Sequence, residues 1–512
     1  MQHADPHATQ QEVAAFLEDP RTHGGAAVQR IDTHAAMVFL AGERAYKLKR
    51  AVRYPYLDFS TAEKRRAACE AELALNRRTA PSLYLGVTPV VRRADGTLGL
   101  GGEGLAVDWL VVMRRFAPDQ LFDRRAERGL LTAETMRDLA DAIAAFHAEA
   151  EPRSDGGGVE AMRAVVDENL AELRDRPDLF APERVGRLTQ RSVEALDRWG
   201  PLIEERRRAG FVRHCHGDLH LRNIVLLDDT PTLFDGIEFD ESFAVIDVGY
   251  DLAFLLMDLE HRGLRALGNT VLNRYLEATE DYGGLALLPL FLSTRAAVRA
   301  KIAATMAAME EDRGAAEGLK RDAVAYLDHA LRALEPLPAR LVAVGGLSGT
   351  GKSQLARAVA PGLGSAPGAV VLRSDVLRKR LFGVGEMERL PPEAYGPGTS
   401  ERVYAELAER ARAVLAAGHA VVADAVYAKP EERAAIEDIA RGAGVRFDGV
   451  WLDAPLEQRV ARVSRRRGDA SDATAEVAER QESYELGAMS WARVDSGRDA
   501  GETLAATLER LA

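Results

Sequence analysis

The sequence predicts an α+β unit of two lobes followed by an α/β unit built on a parallel sheet. Three observations carry that expectation. At 512 residues the chain is too long for one core, since domains average roughly 150 residues. "EPLPAR" (335–340) sets two prolines where the texture of the chain changes. Beyond it, the apolar runs "LVAVGG", "AVVLRSD", "AVVADA" and "FDGVWLDA" alternate with helical stretches, the signature of parallel strands joined by helices. The expected division is therefore 1–335, with a first lobe at about 25–116 and a helical lobe at about 117–335, and then 336–512.

The first lobe opens with β-rich runs in "AVQRIDTHAAMVFLAGERAYKLKR" (27–50), where "AGER" reads as a hairpin turn. "STAEKRRAACEAELALNRR" follows as a long helix with Ser60 as its expected cap. "LAVDWLVVMRRF" (105–116) reads as a buried strand and "TAETMRDLADAIAAFHAEAE" as an amphipathic helix. Residues 159–209 are helical and highly charged. "NIVLL" and "PTLFDGIEFD" are strand-like, and helix resumes from about 247 to 335.

Composition excludes several classes. With 47% hydrophobic and 29% charged residues the chain is an ordinary globular one, and its net charge of −12 disfavours unspecific binding of polyanions over the whole surface. A local basic groove stays compatible with that charge. Cys69 and Cys215 are too few for a disulfide framework, which points to a reducing compartment. The start carries no basic-then-apolar leader, and the longest apolar run, "LALLPLFL", contains Pro289 and falls far short of a membrane span. A cytoplasmic protein with no membrane partner is expected; its oligomeric state is open.

Two motifs carry chemistry. Gly346-Leu347-Ser348-Gly349-Thr350-Gly351-Lys352-Ser353 satisfies G-x-x-x-x-G-K-[ST] between a strand and a helix. Glycines bring backbone N–H groups to phosphates, Lys352 reaches the terminal phosphates, and Ser353 offers a hydroxyl to magnesium. Downstream, Asp375 follows a strand with Arg378 one helical turn on, suited to take a proton from an acceptor hydroxyl and to hold an anionic group. Asp424 ends another strand and suits magnesium. "LEQRVARVSRRRGDASDA" holds Arg459, Arg462, Arg465, Arg466 and Arg467, of which Arg462 and Arg466 are the candidates to close over a transferring phosphoryl group. This half resembles the small P-loop kinases near polynucleotide 5′-kinase, zeta toxin and gluconate kinase. The resemblance implies Asp375 as base and Arg378 as the ligand of the acceptor's phosphate.

The second motif is "HCHGDLHLRN" (214–223). Three histidines raise a metal reading, but structural zinc sites favour cysteine, and catalytic ones need well-spaced ligands. His216-Gly217-Asp218 with Asn223 gives H-x-D-x-x-x-x-N, in which the aspartate takes a hydroxyl proton and the asparagine binds magnesium. Asp235 of "LFDG" supplies a second magnesium ligand. Lys47, on a strand, and Glu72, on the next helix, are the phosphate-pairing lysine and its carboxylate partner, with Lys49 and Glu70 as competitors. Asp228, Asp229, Glu238, Asp240 and Glu241 form an acidic set near this site, read as attracting a cationic acceptor or as loop solubilisers and outer metal contacts. "HGDLHLRN", "LFDGIEFD" and "VGYDLAFLLMDL" resemble the aminoglycoside phosphotransferase and choline-kinase branch of the protein-kinase-like fold, and no glycine-rich loop precedes Lys47. The whole chain is similar to the bacterial bifunctional aminoglycoside phosphotransferase/ATP-binding proteins. The implied cofactors are ATP and Mg2+, and the implied partner is a small-molecule hydroxyl acceptor. An RNA or DNA 5′ end is the alternative acceptor for the second half, and a nucleotide-sensing role for one half is the alternative to two active sites.

Overall fold

The structure, a computed structural model, describes residues 6–33, 35–54, 57–465 and 469–512. It packs as two compact units, Met1–Val165 with Gly200–Asp258, and Val166–Trp199 with Leu259–Ala512.

In the first unit, α1 (Pro6–Glu18) precedes β1 (Val28–Asp32), β2 (Ala36–Ala41) and β3 (Arg44–Lys49). The "AGER" turn joins β2 to β3, with Ala41 opposite Arg44. A small hairpin, β4 (Arg53–Tyr54) and β5 (Leu57–Asp58), leads into α2 (Ala62–Asn76). The cap of α2 is Thr61, not Ser60: the Lys64 amide donates to the Thr61 hydroxyl, while Ser60 is drawn back to Asp58 at 2.6 Å. Strands β6 (Tyr84–Arg92), β7 (Leu98–Leu100) and β8 (Leu105–Arg114) complete an antiparallel sheet ordered β1-β2-β3-β8-β6-β7. Alternation along β2 sends Met37, Phe39 and Ala41 to one face, where Val13 and Leu17 of α1 cover them. The other face packs Cys69 of α2 against Tyr84 and Val111. Helix α1 escaped the sequence reading because its apolar positions are few.

Helices α3 (Phe122–Glu127) and α4 (Ala133–Glu149) follow, then α5 (Val159–Arg174), which runs on into the second unit's residues, and α6 (Pro182–Arg208), which begins among them and ends in the first unit's. The first unit resumes with β9 (Val212–His214), the hairpin β10 (Ile224–Leu227) and β11 (Thr230–Leu233), α7 (Glu241–Ala244), β12 (Val245–Asp247) and α8 (Val248–His261). The strand-like run 231–240 is a strand only to Leu233, because Asp235 turns to φ 59° and ends the ladder.

The second unit holds α9 (Arg265–Thr279), α10 (Leu288–Met309) and α11 (Arg313–Ala333). Pro289 sits in the first turn of α10, where its missing N–H costs nothing. After the "EPLPAR" break come β13 (Arg340–Gly346), α12 (Lys352–Val359), β14 (Val370–Arg373), α13 (Ser374–Leu381), α14 (Pro397–Ala416), β15 (Val421–Asp424), α15 (Pro430–Gly442), β16 (Arg446–Asp453), α16 (Leu456–Arg465), α17 (Ala475–Arg480), β17 (Ala492–Asp495) and α18 (Ala500–Leu511). The strands form one parallel sheet in the order β14-β15-β13-β16-β17. Its core is Val342, Val344, Val422, Val450 and Leu452 against Leu355 and Val359. The four apolar runs are β13, β14, β15 and β16; β17, "ARVD", is an edge strand with half its residues charged and gave no apolar signal. Among the described residues no helix is long and apolar enough to cross a membrane.

Candidate active sites

In the first unit, β3 and α2 meet in a buried charge network. Lys47 Nζ donates to Glu72 Oε1 at 2.9 Å and to Asp235 Oδ1 at 2.7 Å. Lys49 Nζ donates to Glu72 Oε2 at 2.6 Å and also to Glu238. Period-2 geometry puts both lysines on one strand face, and Glu72, fully buried, serves both with its two oxygens. Both lysines that the sequence offered therefore touch Glu72. Only Lys47 reaches Asp235, and its side chain is 16% exposed against 2% for Lys49, so Lys47 is the one with an open side. Glu70 is exposed and pairs with Arg66. Burial pushes the Glu72 carboxyl up, but the two ammoniums outweigh it and hold the group at about 2. Burial likewise opposes the charge on Lys47, and Asp235 and Glu72 overcome it, raising its pKa well above the ordinary value.

The loop after β9 is held by carboxylates from α8. Asp251, wholly buried, accepts the His216 amide at 3.1 Å and the Gly217 amide at 3.0 Å. Asp258 accepts the Leu221 amide at 3.0 Å. These contacts fix the backbone on either side of Asp218. Asn223 Nδ2 then donates to the Asp218 carboxylate at 2.8 Å, and His220 Nε2 lies 3.3 Å from the same carboxylate. The Asn223 amide nitrogen donates to the Asp218 carbonyl as well, at 2.9 Å. The Phe234 amide donates to the Asn223 carbonyl at 3.0 Å, so Asn223 and Asp235 sit together at the open end of the β10–β11 hairpin. His216 Nε2 meets the Phe234 carbonyl at 2.9 Å, tying the loop to the Asp235 segment, and burial keeps its imidazole pKa low and the ring neutral.

Histidine-centred metal chemistry finds no support in this loop. Among the described residues, the group of His, Cys and acidic side chains close enough to share an ion is His147, Cys215 and Asp251. Its carboxylate is already spent on two amides and on His147 Nε2 at 3.1 Å, which makes the group a brace. Asp251 and Asp258 were visible in "VGYDLAFLLMDL", but nothing local says that their partners lie some 35 residues earlier. The acidic set near the site divides: Glu238 joins the charge network through Lys49, while Asp228 pairs with Arg114, Glu241 with Arg153, and Asp240 caps α7.

In the second unit the phosphate-type loop runs from Gly346, the last residue of β13, to Gly351, which caps α12 at φ 92° with open space where a Cβ would sit. Gly349, at φ 86°, passes so close to α16 that a Cβ would lie 2.5 Å from the Arg459 carbonyl, so only glycine fits. Thr350 is buried and its hydroxyl donates to the Leu347 carbonyl at 2.8 Å; the Ser348 amide donates to Gln481 at 2.6 Å. Lys352 Nζ rests 3.2 Å from the Leu347 carbonyl. A cleft of about 1390 Å³ is lined by Ser348, Gly349, Lys352, Ser353, Asp375, Arg378, Asp424 and Arg462, so the structure gathers most of the residues singled out in this half.

Strand ends supply the carboxylates. Asp424 ends β15 and lies 3.5 Å from Arg373 Nε. Asp375, in the first turn of α13, is pushed up by burial and then by the Asp424 charge, with Lys352 and Arg373 pulling the other way. Arg378 faces the cleft, donates to the Ala394 carbonyl at 2.7 Å and lies over the Tyr395 ring. Arg462 lines the cleft while donating to the Ser496 carbonyl at 2.7 Å. Arg459 differs from its neighbours: it is buried beneath the loop and pairs with Glu482. Arg466 and Arg467 lie outside the described residues. Arg373, which touches Asp424, Asp469 and Glu386, was missed because a charged residue inside an apolar strand run looks like a strand end and nothing more.

Comparison with known proteins places both halves. The phosphotransferase enzyme family matches residues 31–288, and an AAA domain family matches 341–485. Uncharacterized proteins of Mycobacterium bovis and Mycobacterium tuberculosis are each 34% identical over 455 residues, covering 87% of this chain and 88% of theirs. Similar solved structures include a choline/ethanolamine kinase family protein from Mesorhizobium loti (15% identity, 64% of this chain, 99% of that one, TM-score 0.37). A gluconokinase from Sinorhizobium meliloti is another (24% identity, 34% of this chain, 94% of that one, TM-score 0.25). A two-lobed kinase-like part followed by a P-loop kinase part, matched over most of its length by mycobacterial relatives, makes this chain a phosphotransferase enzyme and a member of the phosphotransferase enzyme family.

Proposed function

We propose that the protein is an ATP- and magnesium-dependent phosphotransferase with two sites, one in 1–335 and one in 336–512, each acting on a hydroxyl-bearing small molecule. The observation that carries the proposal is that each half separately gathers a lysine with oxygen donors of the kind magnesium prefers. The donor sets fit the cofactor. In the first half, Asn223 offers an amide oxygen and Asp235 a carboxylate beside Lys47. In the second, Ser353 and Asp424 line a cleft whose loop leaves open space at Gly351. Bound Mg–ATP supplies a transferable γ-phosphoryl group, with the cation offsetting charge on its oxygens.

The residues then divide the work. Lys47, oriented by Glu72, and Lys352 pair with phosphate oxygens. Asn223 and Asp235, and Ser353 with Asp424, would hold the cation. Asp218, aimed by Asn223 and His220, takes the proton of the acceptor hydroxyl while that oxygen bonds to phosphorus; the bridging oxygen leaves with the nucleoside diphosphate. Asp375 does the same in the second half, where its raised pKa improves it as a base, and Arg378 holds an anionic group of the acceptor. Arg462, with Arg466 beyond the described residues, covers the phosphoryl group.

Separate assays of Asp218→Ala and Lys352→Ala test the proposal: each variant loses one of two ATP-consuming activities and keeps the other. Two variants that both turn over ATP like the parent refute it. A polynucleotide 5′ end is the second reading for the C-terminal half, favoured by Arg389, Arg462, Arg465 and Arg480 along a large cleft. It requires transfer to oligonucleotides that falls steeply with added salt.

A further inference from the structure

We infer that Arg274, on α9, is a positioning residue for the second site: it acts through Glu386 and Arg373 to set Asp424. The inference rests on the reading of that site as a phosphotransferase. Helix α9 falls within the stretch matched to the phosphotransferase family, 31–288, yet it packs in the same unit as the parallel sheet.

Two sets of contacts run from α9 to the site. One is made by side-chain amides. Strand β14 is an edge strand, with β15 on one side only. On its other side, Asn269 Nδ2 donates to the Ala369 carbonyl at 3.0 Å, and the Val371 amide donates to Asn273 Oδ1 at 2.6 Å. Four residues apart on one helix face, the two asparagines do what a further strand would do for the exposed edge. Strand β14 ends at Arg373, two residues before Asp375, so its seating decides where that carboxylate stands.

The other set is ionic. Arg274 Nη1 lies 3.2 Å from Glu386 Oε2, and Glu386 Oε1 lies 3.3 Å from Arg373 Nη1. Arg373, 2% exposed, spreads its remaining nitrogens between Asp424 at 3.5 Å and Asp469 at 2.8 Å. Glu386 is 10% exposed, so its charge is felt with little screening. With Arg274 in place, Glu386 divides its attraction between two guanidiniums. Without it, Glu386 draws Arg373 toward itself and away from Asp424 and Asp469. The carboxylate assigned to the cation is then displaced, while the loop around Lys352 keeps its own contacts.

The test uses the full chain carrying Asp218→Ala, so that only the second site turns over. Arg274→Ala lowers Lys352-dependent kcat for ATP by about 10–100-fold, the usual cost of losing a group that orients a metal ligand. At saturating magnesium, KM for ATP stays within about twofold, since the loop around Lys352 keeps its own contacts. Arg274→Lys restores part of the rate, and Glu386→Gln combined with Arg274→Ala is no slower than Arg274→Ala alone, because the charge that displaces Arg373 is gone. A melting temperature measured alongside identifies a variant that fails to fold, and Arg274→Gln, which keeps much of the side-chain length while removing the charge, then carries the test with a loss of the same sign. If the Asp218→Ala parent shows no Lys352-dependent turnover, the two-site reading fails and this inference with it. If the parent turns over and Arg274→Ala matches it in kcat, or loses rate only through KM, the inference alone is overturned.

Discussion

The two sites hold like chemistry by different means. In the first, the decisive groups come from far apart: Lys47 meets Asp235 across 188 positions and Glu72 across 25. Its carboxylate partner is a fully buried anion compensated by two cations. In the second, the phosphate loop is one run of eight residues, and the carboxylates arrive at neighbouring ends of parallel strands, crowded against one another. The first site spends charge pairing on architecture. The second keeps carboxylate repulsion at Asp375, the base proposed for that half. Stability and activity therefore separate differently in the two halves.

The sharpest way to break that contrast is to neutralise one carboxylate in each. Glu72→Gln leaves two buried ammoniums short of a counter-charge and destabilises the fold by about 3–5 kcal/mol, seen as a lower denaturant midpoint. Asp375→Asn relieves the repulsion from Asp424 and leaves stability at pH 7 unchanged or raised, while the second site's kcat falls by about 10²–10⁴. Equal destabilisation by both substitutions would dissolve the distinction.

The pH responses sharpen it further. The Glu72 carboxyl is lower in the folded protein, at about 2, than the 4.5 of an unperturbed glutamate. Its contribution to stability is complete above the unfolded value and is lost as pH falls from there toward about 2. Asp375 is shifted upward, so the second site's rate rises with pH through a midpoint above the ordinary aspartate value. Asp424→Asn removes a neighbouring charge and moves the residual rate's midpoint downward; a midpoint that stays put would mean burial alone sets it.

What the sequence made legible follows the same division. The loop 346–353, the aspartates after apolar strands and H-x-D-x-x-x-x-N are local patterns: the structure sets the first between β13 and α12, Asp424 at the end of β15, Asp375 in the first turn of α13 and Asp218 in the loop after β9. Lys47 and Lys49 were inseparable because period-2 geometry puts both on one face, and only the distant Asp235 distinguishes them. Asp251 and Arg373 gave no local sign of their partners, which are backbone amides and carboxylates far along the chain. Ser60 was the wrong cap by one residue because Asp58 competes for its hydroxyl. The smallest expected effect tests that correction: Thr61→Ala costs about 1 kcal/mol of stability as the loss of a true cap. Ser60→Ala costs less; the reverse order would restore the sequence assignment.

The contrast stands on two independent nucleotide sites within one chain. Calorimetric titration of the full chain with a non-hydrolysable ATP analogue and magnesium tests it most directly. Two analogue molecules bind per chain, Asp235→Ala removes one, and Lys352→Ala removes the other. A stoichiometry of one, abolished by a single one of these substitutions and untouched by the second, would contradict it.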